Sequence, residues 1–259
     1  MGMTVQRITS MQLEDKFRQL SSGRRINSAA DDAAGLSIAV KMLAQEMGTA
    51  QGTANTADMS NLVKTAEGGL SGIQDSLQRV RELSVQAAND TLTGEDRQLI
   101  QHEVDSLLEG IGDMVRSTEF NKQKLLDGSF VNKHTASSAD GSGKQISIDS
   151  MSVQQLGLQG YSVLGGAASV DLDALDAAIS TVSTARSKLG AIENTFEHTM
   201  IANDITELNT AAARSRIYDA DMAKALMGAN KAQTMQQYQI FTQKERQNNQ
   251  QRSVLSLLG

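Results

Sequence analysis

The chain has 259 residues, enough for one large domain or two small ones, with no Cys, no Pro, no Trp and only 3% aromatic residues. Disulfide and thiolate chemistry are excluded, and a core must come from Ala, Leu, Ile, Val and Met, which suits slender helical packing. A net charge of −6 argues against nucleic acid as the main partner, because phosphate binding needs a basic surface, and no apolar run reaches the roughly 18 residues that membrane insertion needs.

The absence of Pro permits long unbroken helices, since Pro in a helix interior costs about 3 kcal/mol. A first helix is predicted at the N-terminus, where Val5, Ile8 and Met11 precede Leu13, Phe17 and Leu20 at helical spacing. A loop over 21–32 follows. Gly23 and Asn27 interrupt the period there, and Asp31-Asp32 place acidic charge where the next helix dipole favours it. A long helix is predicted over 33–89. Its later part carries a 3-4 seam of Leu62, Ala66, Gly69/Leu70, Ile73, Leu77, Val80, Ser84 and Ala87, with small residues admitted for close approach. Its length corresponds to a rod of roughly 80 Å. Thr91-Leu92-Thr93-Gly94 breaks the helix. Thr93 is placed to cap a third helix over 94–117, with Glu95 and Asp96 in its first turn and an apolar set of Leu99, Ile100, Val104, Leu107, Leu108, Ile111 and Val115.

From 119 to 169 the helical period disappears. Asp127-Gly128, Asp140-Gly141 and Gly165-Gly166 mark turns, and Gln145-Ile146-Ser147-Ile148 alternates like a strand. One or two small β-hairpins are predicted, with Asp140-Gly141-Ser142-Gly143 as a turn. A fourth helix begins near Val170 and carries Leu172, Leu175, Ile179, Val182, Leu189, Ile192 and Phe196, with Arg186 at one seam position. The pattern continues through Met200, Ile205 and Leu208. A last helix carries Ile217, Met222, Leu226, Met235, Tyr238 and Phe241 and ends at Leu255-Ser256-Leu257-Leu258-Gly259. The fold expected is mostly α: a long antiparallel coiled-coil hairpin of N- and C-terminal helices with a small β-hairpin region at the tip. The outermost helices, 1–20 and 218–258, have too few large apolar residues to pair stably alone, and such stripes usually find a partner chain.

Catalytic constellations are missing. His102, His134 and His198 lie far apart in different elements, whereas a metal needs convergent ligands. His102-Glu103 begins an H-E-x-x-H pattern, but Ser106 stands where the second His belongs. There is no G-x-S-x-G, and Gly141-Ser142-Gly143-Lys144 lacks the leading Gly of a phosphate loop, so it reads as a turn. Neither an enzyme nor a cofactor is expected. Asn89-Asp90-Thr91 matches a glycosylation sequon, a triplet common by chance. Arg79, Arg81 and Glu82 lie opposite Leu77, Val80 and Ser84 or at the edge of that face, which composition alone reads as a solvated surface. Arg24, Arg25, Asp31 and Asp32 can form ion pairs, each contributing about 0–1 kcal/mol when exposed. The 213–223 stretch offers them complementary charge.

Several separated segments resemble bacterial flagellins: LSSGRRINSAADDAAGLSIA (20–39), LQRVRELSVQAAND (77–90), EDRQLIQHEV (95–104), FNKQKLLDGSF (120–130), LGAIENTFEHT (189–199), ARSRIYDADMA (213–223) and VLSLLG (254–259). The resemblance implies a structural subunit that self-assembles into the flagellar filament for motility, by heterologous packing that propagates as a helical tube. It implies an inner-layer helix and joint over 1–32 and long helices of an outer coiled-coil layer over 33–118. A short tip would follow over 119–169, then the returning outer helix over 170–213 and a C-terminal inner-layer helix over 214–259. Only 122–166 stand where many members carry a large variable region, so a minimal form is expected.

By the same resemblance, Arg79, Leu83 and Glu103, with Arg81 and Glu82, would contact the host Toll-like flagellin receptor and the next subunit. Arg24, Arg25, Asn27, Asp31 and Asp32 would form the joint between layers. Leu226, Met235, Phe241, Val254, Leu255, Leu257 and Leu258 would serve assembly and an export chaperone. Filament cap and hook-junction proteins are further implied partners. An extracellular place in the flagellum is expected, reached without a cleaved signal peptide, since MGMTVQRITSMQ has no apolar h-region. Two departures stand out: family members usually have a longer run before the LSSG block, and often a Pro in the stretch that here reads 246–252 without one. They point to a shorter or differently packed inner layer, and the altered N-terminus motivates one alternative, a minor or poorly polymerising flagellin. The other alternative is a hook–filament junction protein, a class that resembles flagellin at both ends.

Overall fold

The computed structural model describes residues 2–166 and 170–258, with side chains from 10 to 253. Nine elements follow in order: α1 Gly2–Ser22, α2 Ala33–Ala87, α3 Gly94–Ser117, β1 Glu119–Phe120, β2 Gln123–Lys124, β3 Lys133–Ala136, β4 Gly143–Ile146, α4 Leu172–Tyr218 and α5 Met222–Leu258. The protein is mostly helical, as the periodicity predicts. Its helix starts are set by short polar side chains that accept from otherwise unpaired amides. Asp32 takes the Gly35 amide at 2.8 Å, Asp171 the Ala174 amide at 2.9 Å, and Asp221 the Lys224 amide at 3.0 Å. At α3 the cap is reciprocal: Thr93 Oγ1 accepts from the Asp96 amide, and Asp96 accepts from the Thr93 amide. The Thr93 hydroxyl, which donates to the Asp96 carboxylate at 2.7 Å, and then the Thr93 amide hold that carboxyl below the usual carboxylate range. Helix α1 ends on Gly23 at φ +69°, a left-handed conformation that costs Gly no Cβ clash.

The chain divides into two compact units, one of Met1–Glu46 with Leu208–Gly259 and one of Met47–Glu207.

In the second unit, α2, α3 and α4 share a core. Leu70, Ile73, Leu77 and Val80 of α2 meet Val104, Ile111 and Val115 of α3 and Leu175, Val182 and Leu189 of α4. Pairs across the helices fix their directions. Arg81 meets Asp176, and Lys64 meets Glu193. Arg79 meets Glu103, and Gly72 faces Met114. Numbers fall on α2 as they rise on α3 and α4, so both run antiparallel to it. Three residues of the apolar sets expected of α3 and α4 are instead exposed: Leu99 at 70%, Ile205 at 55% and Leu208 at 71%. Leu99 falls off the stripe of Ile100, Val104, Ile111 and Val115 by one position, about 100° around the helix. Arg186 reaches Gln74 at 2.7 Å and Glu67 at 3.6 Å, which explains a cation at a seam position.

The strand region is two antiparallel hairpins. In the first, Asn121 and Lys122 both have positive φ, as a two-residue turn with matching twist requires. In the second, β3 pairs with β4 from Lys133↔Ile146 to Ala136↔Gly143, around the expected Asp140-Gly141 turn. Strand β4 starts and stops earlier than the alternation of 145–148 suggests; Ile148 has left the strand, though its amide still donates to the Phe130 carbonyl at 2.9 Å.

This region also covers a length of α2. It runs back along α2: Tyr161 donates to buried Ser84 at 2.9 Å, Leu126 lies beside Gly69, and Ala139 lies beside Gly48. Burial decides this, because Leu125, Leu126, Phe130, Ile146, Met151, Leu158 and Val163 all enter the core. Gly48 and Gly52 make room for the β3–β4 turn. A Cβ on Gly52 would stand 2.5 Å from the Ser137 carbonyl oxygen. Asn55 donates to the Ala136 carbonyl at 3.0 Å and Asn203 to that of Ser137 at 2.8 Å. Residues 167–169, the end of the expected irregular segment, lie outside the described ones.

Candidate assembly and recognition surfaces

The joint residues Arg24, Arg25, Asn27, Asp31 and Asp32 converge in the first unit. The chain leaving α1 pairs with the chain leaving α4. The Arg25 amide donates to the Tyr218 carbonyl at 2.8 Å and the Ala220 amide to that of Gly23 at 2.9 Å, flanking an antiparallel bridge between Arg24 and Asp219. Arg24 sits over the Tyr218 ring at 5.2 Å. Arg25 donates through Nε and Nη2 to the Ile217 carbonyl at 3.0 and 2.6 Å and lies 3.4 Å from Asp32. Asp31 accepts from the amides of Asn27 and Ser28 at 2.9 and 2.8 Å. The Asn27 bond first, then that of Ser28, hold its carboxyl below the usual range. The 213–223 stretch does meet the joint, but through main-chain bonds more than through complementary charge. Arg214 turns away to Glu46 at 3.0 Å.

The second surface belongs to α2 and α3. Arg79 donates to Glu103 through Nε and Nη2 at 3.0 and 2.8 Å and to Glu82 at 3.2 Å. The Glu103 bond, then that of Glu82, raise the basicity of Arg79. Arg81 holds Asp176 at 2.7 Å, which raises Arg81 and lowers Asp176. Four of the five residues expected here are therefore exposed and linked. Leu83 is not on this surface. It is 2% exposed and packs in the core, because it follows Val80 by three residues and precedes Ala87 by four, which puts all three on one helix face. The exposed apolar residue of the segment is Val85, at 50%, three residues after Glu82 and four after Arg81. That spacing is the signal that identifies it.

The third surface is the pair α1 and α5. Its inner seam is made of small residues, with Ala225, Ala229 and Ala232 all buried. Larger apolar side chains face outward: Leu226, Met235 and Phe241 are about half or more exposed, as are Met227 and Tyr238 on α5 and Met11 and Phe17 on α1. Val254, Leu255, Leu257 and Leu258 continue α5, and their side chains lie outside the described residues, as does Gly259. Among the described residues no helix is long and apolar enough to cross a membrane.

Bonded charges on the surface and large apolar side chains left exposed on the terminal helices are features suited to association with other chains. Comparison with known proteins gives the family. The model of the bacterial flagellin N-terminal helical region matches residues 3–131, and that of the bacterial flagellin C-terminal helical region matches 172–258. A flagellin of Halalkalibacterium halodurans is 40% identical over 218 residues, covering 82% of this chain and 79% of that protein. The flagellar filament 30.7 kDa core protein of Treponema maltophilum is 34% identical over 270 residues, covering 97% and 94%. Among solved structures, a flagellar hook-associated protein from Vibrio parahaemolyticus shares the fold, with a TM-score of 0.61 at 16% identity, over 73% of this chain and all of that one. The chain belongs to the bacterial flagellin family and is a structural subunit of the flagellar filament.

Proposed function

We propose that the chain polymerises by heterologous contacts in which the open apolar faces of α1 and α5 meet other copies. The terminal segments 1–32 and 214–259 form an inner layer of the filament, and 33–213 an outer one. The observation that supports this is the set of large apolar side chains left on the outside of α5 and α1. A soluble monomer rarely leaves contiguous apolar surface uncovered without a binding role. Association is non-closing, so a tube results. In the same reading the chain performs no catalysis. It leaves the cell without a cleaved signal peptide, and a cytoplasmic chaperone covers α5 until export. Filament cap and hook-junction proteins meet it at the ends of the polymer. Free monomer presents Arg79, Arg81, Glu82 and Glu103 to the host Toll-like flagellin receptor.

The test separates folding from assembly. Leu226→Ser and Phe241→Ser alter outward side chains, so monomer stability is expected to change by no more than about 0.5 kcal/mol, measured by denaturant melts. Seeded polymerisation is expected to fail. Variants that polymerise like the parent chain overturn the role given to α5.

A further inference from the structure

A cleft of about 590 Å³ lies between α1 and α5 beside the joint, within the first unit. Four cations line it, Lys16 and Arg18 of α1, Arg25 of the joint and Lys231 of α5, against two carboxylates, Asp15 and Asp31. Both carboxylates are engaged. Asp31 accepts from two backbone amides and lies 3.6 Å from Arg18, which holds Asp15 at 2.6 Å. Arg25 is turned to the Ile217 carbonyl and to Asp32.

The ammoniums of Lys16 and Lys231 remain. Lys16 donates to the neutral Gln19 Oε1 at 3.0 Å, and among the described residues neither lysine has a carboxylate within ion-pair distance. The Lys16 stem is seated by Gly228: a Cβ there would stand 3.3 Å from its Cδ and Cε. Lys231 follows Gly228 by three residues, so both lie on the same face of α5. Two like charges brought into one cleft repel, and an anion placed between them turns that repulsion into two charge-assisted bonds.

We propose that this cleft binds a single oxyanion, carboxylate or phosphate, between Lys16 and Lys231. Two sources share that chemistry: an acidic side chain of a second copy in the filament, and free inorganic phosphate. The first source rests on the polymerising role above; the second does not.

Two measurements on the full chain separate the sources. In the first, acetylation rates of individual lysines in wild-type monomer are followed by mass spectrometry, in phosphate and in chloride at equal ionic strength. A roughly fivefold slowing in phosphate at Lys16 and Lys231, and not at Lys224 or Lys244, assigns the free ion; that factor is near the upper end for a partly exposed ion pair. In the second, Lys16→Met and Lys231→Met are assembled on seeds in chloride, with circular dichroism confirming that each monomer keeps its helices. A rise of roughly fivefold in critical concentration for each variant assigns a carboxylate of a second copy. The proposal is overturned if acetylation is insensitive to phosphate and both variants assemble like wild type. Growth of wild-type filaments in the same run distinguishes failure of the cleft from failure of the polymerising role. If wild type does not grow, the acetylation result alone decides.

Discussion

Arg79 Nη2 donates to Glu103 Oε1 at 2.8 Å and so ties α2 to α3 across the surface of their unit. Both side chains are about half exposed, so the bond orients them without removing them from solvent. An exposed pair of this kind contributes little to stability, which leaves both residues available for recognition at small cost to the fold.

Arg79→Ala is therefore expected to leave the denaturant midpoint of the monomer nearly unchanged while weakening signalling in cells that report flagellin recognition. Leu83→Ala acts differently. Its side chain is in the core, so truncation leaves a cavity and costs about 2–5 kcal/mol. Denaturant melts read beside the reporter assay separate the two. Equal potency of Arg79→Ala and wild type sinks the recognition role of this surface.

Glycines of α2 divide by what stands over them. A methyl added at Gly68 would have nothing within 4 Å, whereas one added at Gly52 would meet the Ser137 carbonyl. Gly68→Ala is expected to stabilise the chain by about 0.4–1 kcal/mol through helix propensity and chain entropy. Gly52→Ala is expected to destabilise by about 1–3 kcal/mol, since the β3–β4 turn must shift. Thermal melts of the two variants should move in opposite directions. Movement in the same direction contradicts the docking of that turn on α2.

These glycines also show what periodicity hides. The 3-4 seam of α2 was legible because large and small apolar residues recur on one face, and the α3 start because Thr93 and Asp96 have capping spacing. The path of 119–166 was not. In a helix pattern Gly48 and Gly52 read only as weak spots, yet they form the notch that receives the turn. Leu83 misleads in the same way: its neighbours in sequence are charged, but its neighbours in space are apolar, and the turn of the helix decides which matters. At the joint the charged residues were legible as a group. Their main work is done by backbone bonds such as Arg25 to Tyr218, which side-chain chemistry does not announce.

Acid should loosen the joint loop at a defined point. The Asp31 carboxyl is held below its ordinary value of 3.8 by the amides of Asn27 and Ser28. A group depressed on folding supports the fold fully above its unfolded value and loses that support as pH falls through the folded one. Amide exchange at Asn27 and Ser28 should stay slow down to 3.8 and rise below it, and Asp31→Asn should abolish the step. A midpoint at or above 3.8 contradicts the assignment.

On the proposed function, this chain builds a filament from the open faces of its terminal helices. Electron microscopy of purified, heat-dissociated protein after seeding tests it most directly. Tubular filaments of uniform diameter, growing from the seeds, are the expected result. Monomer that stays dispersed, or collects only as amorphous aggregate, contradicts it.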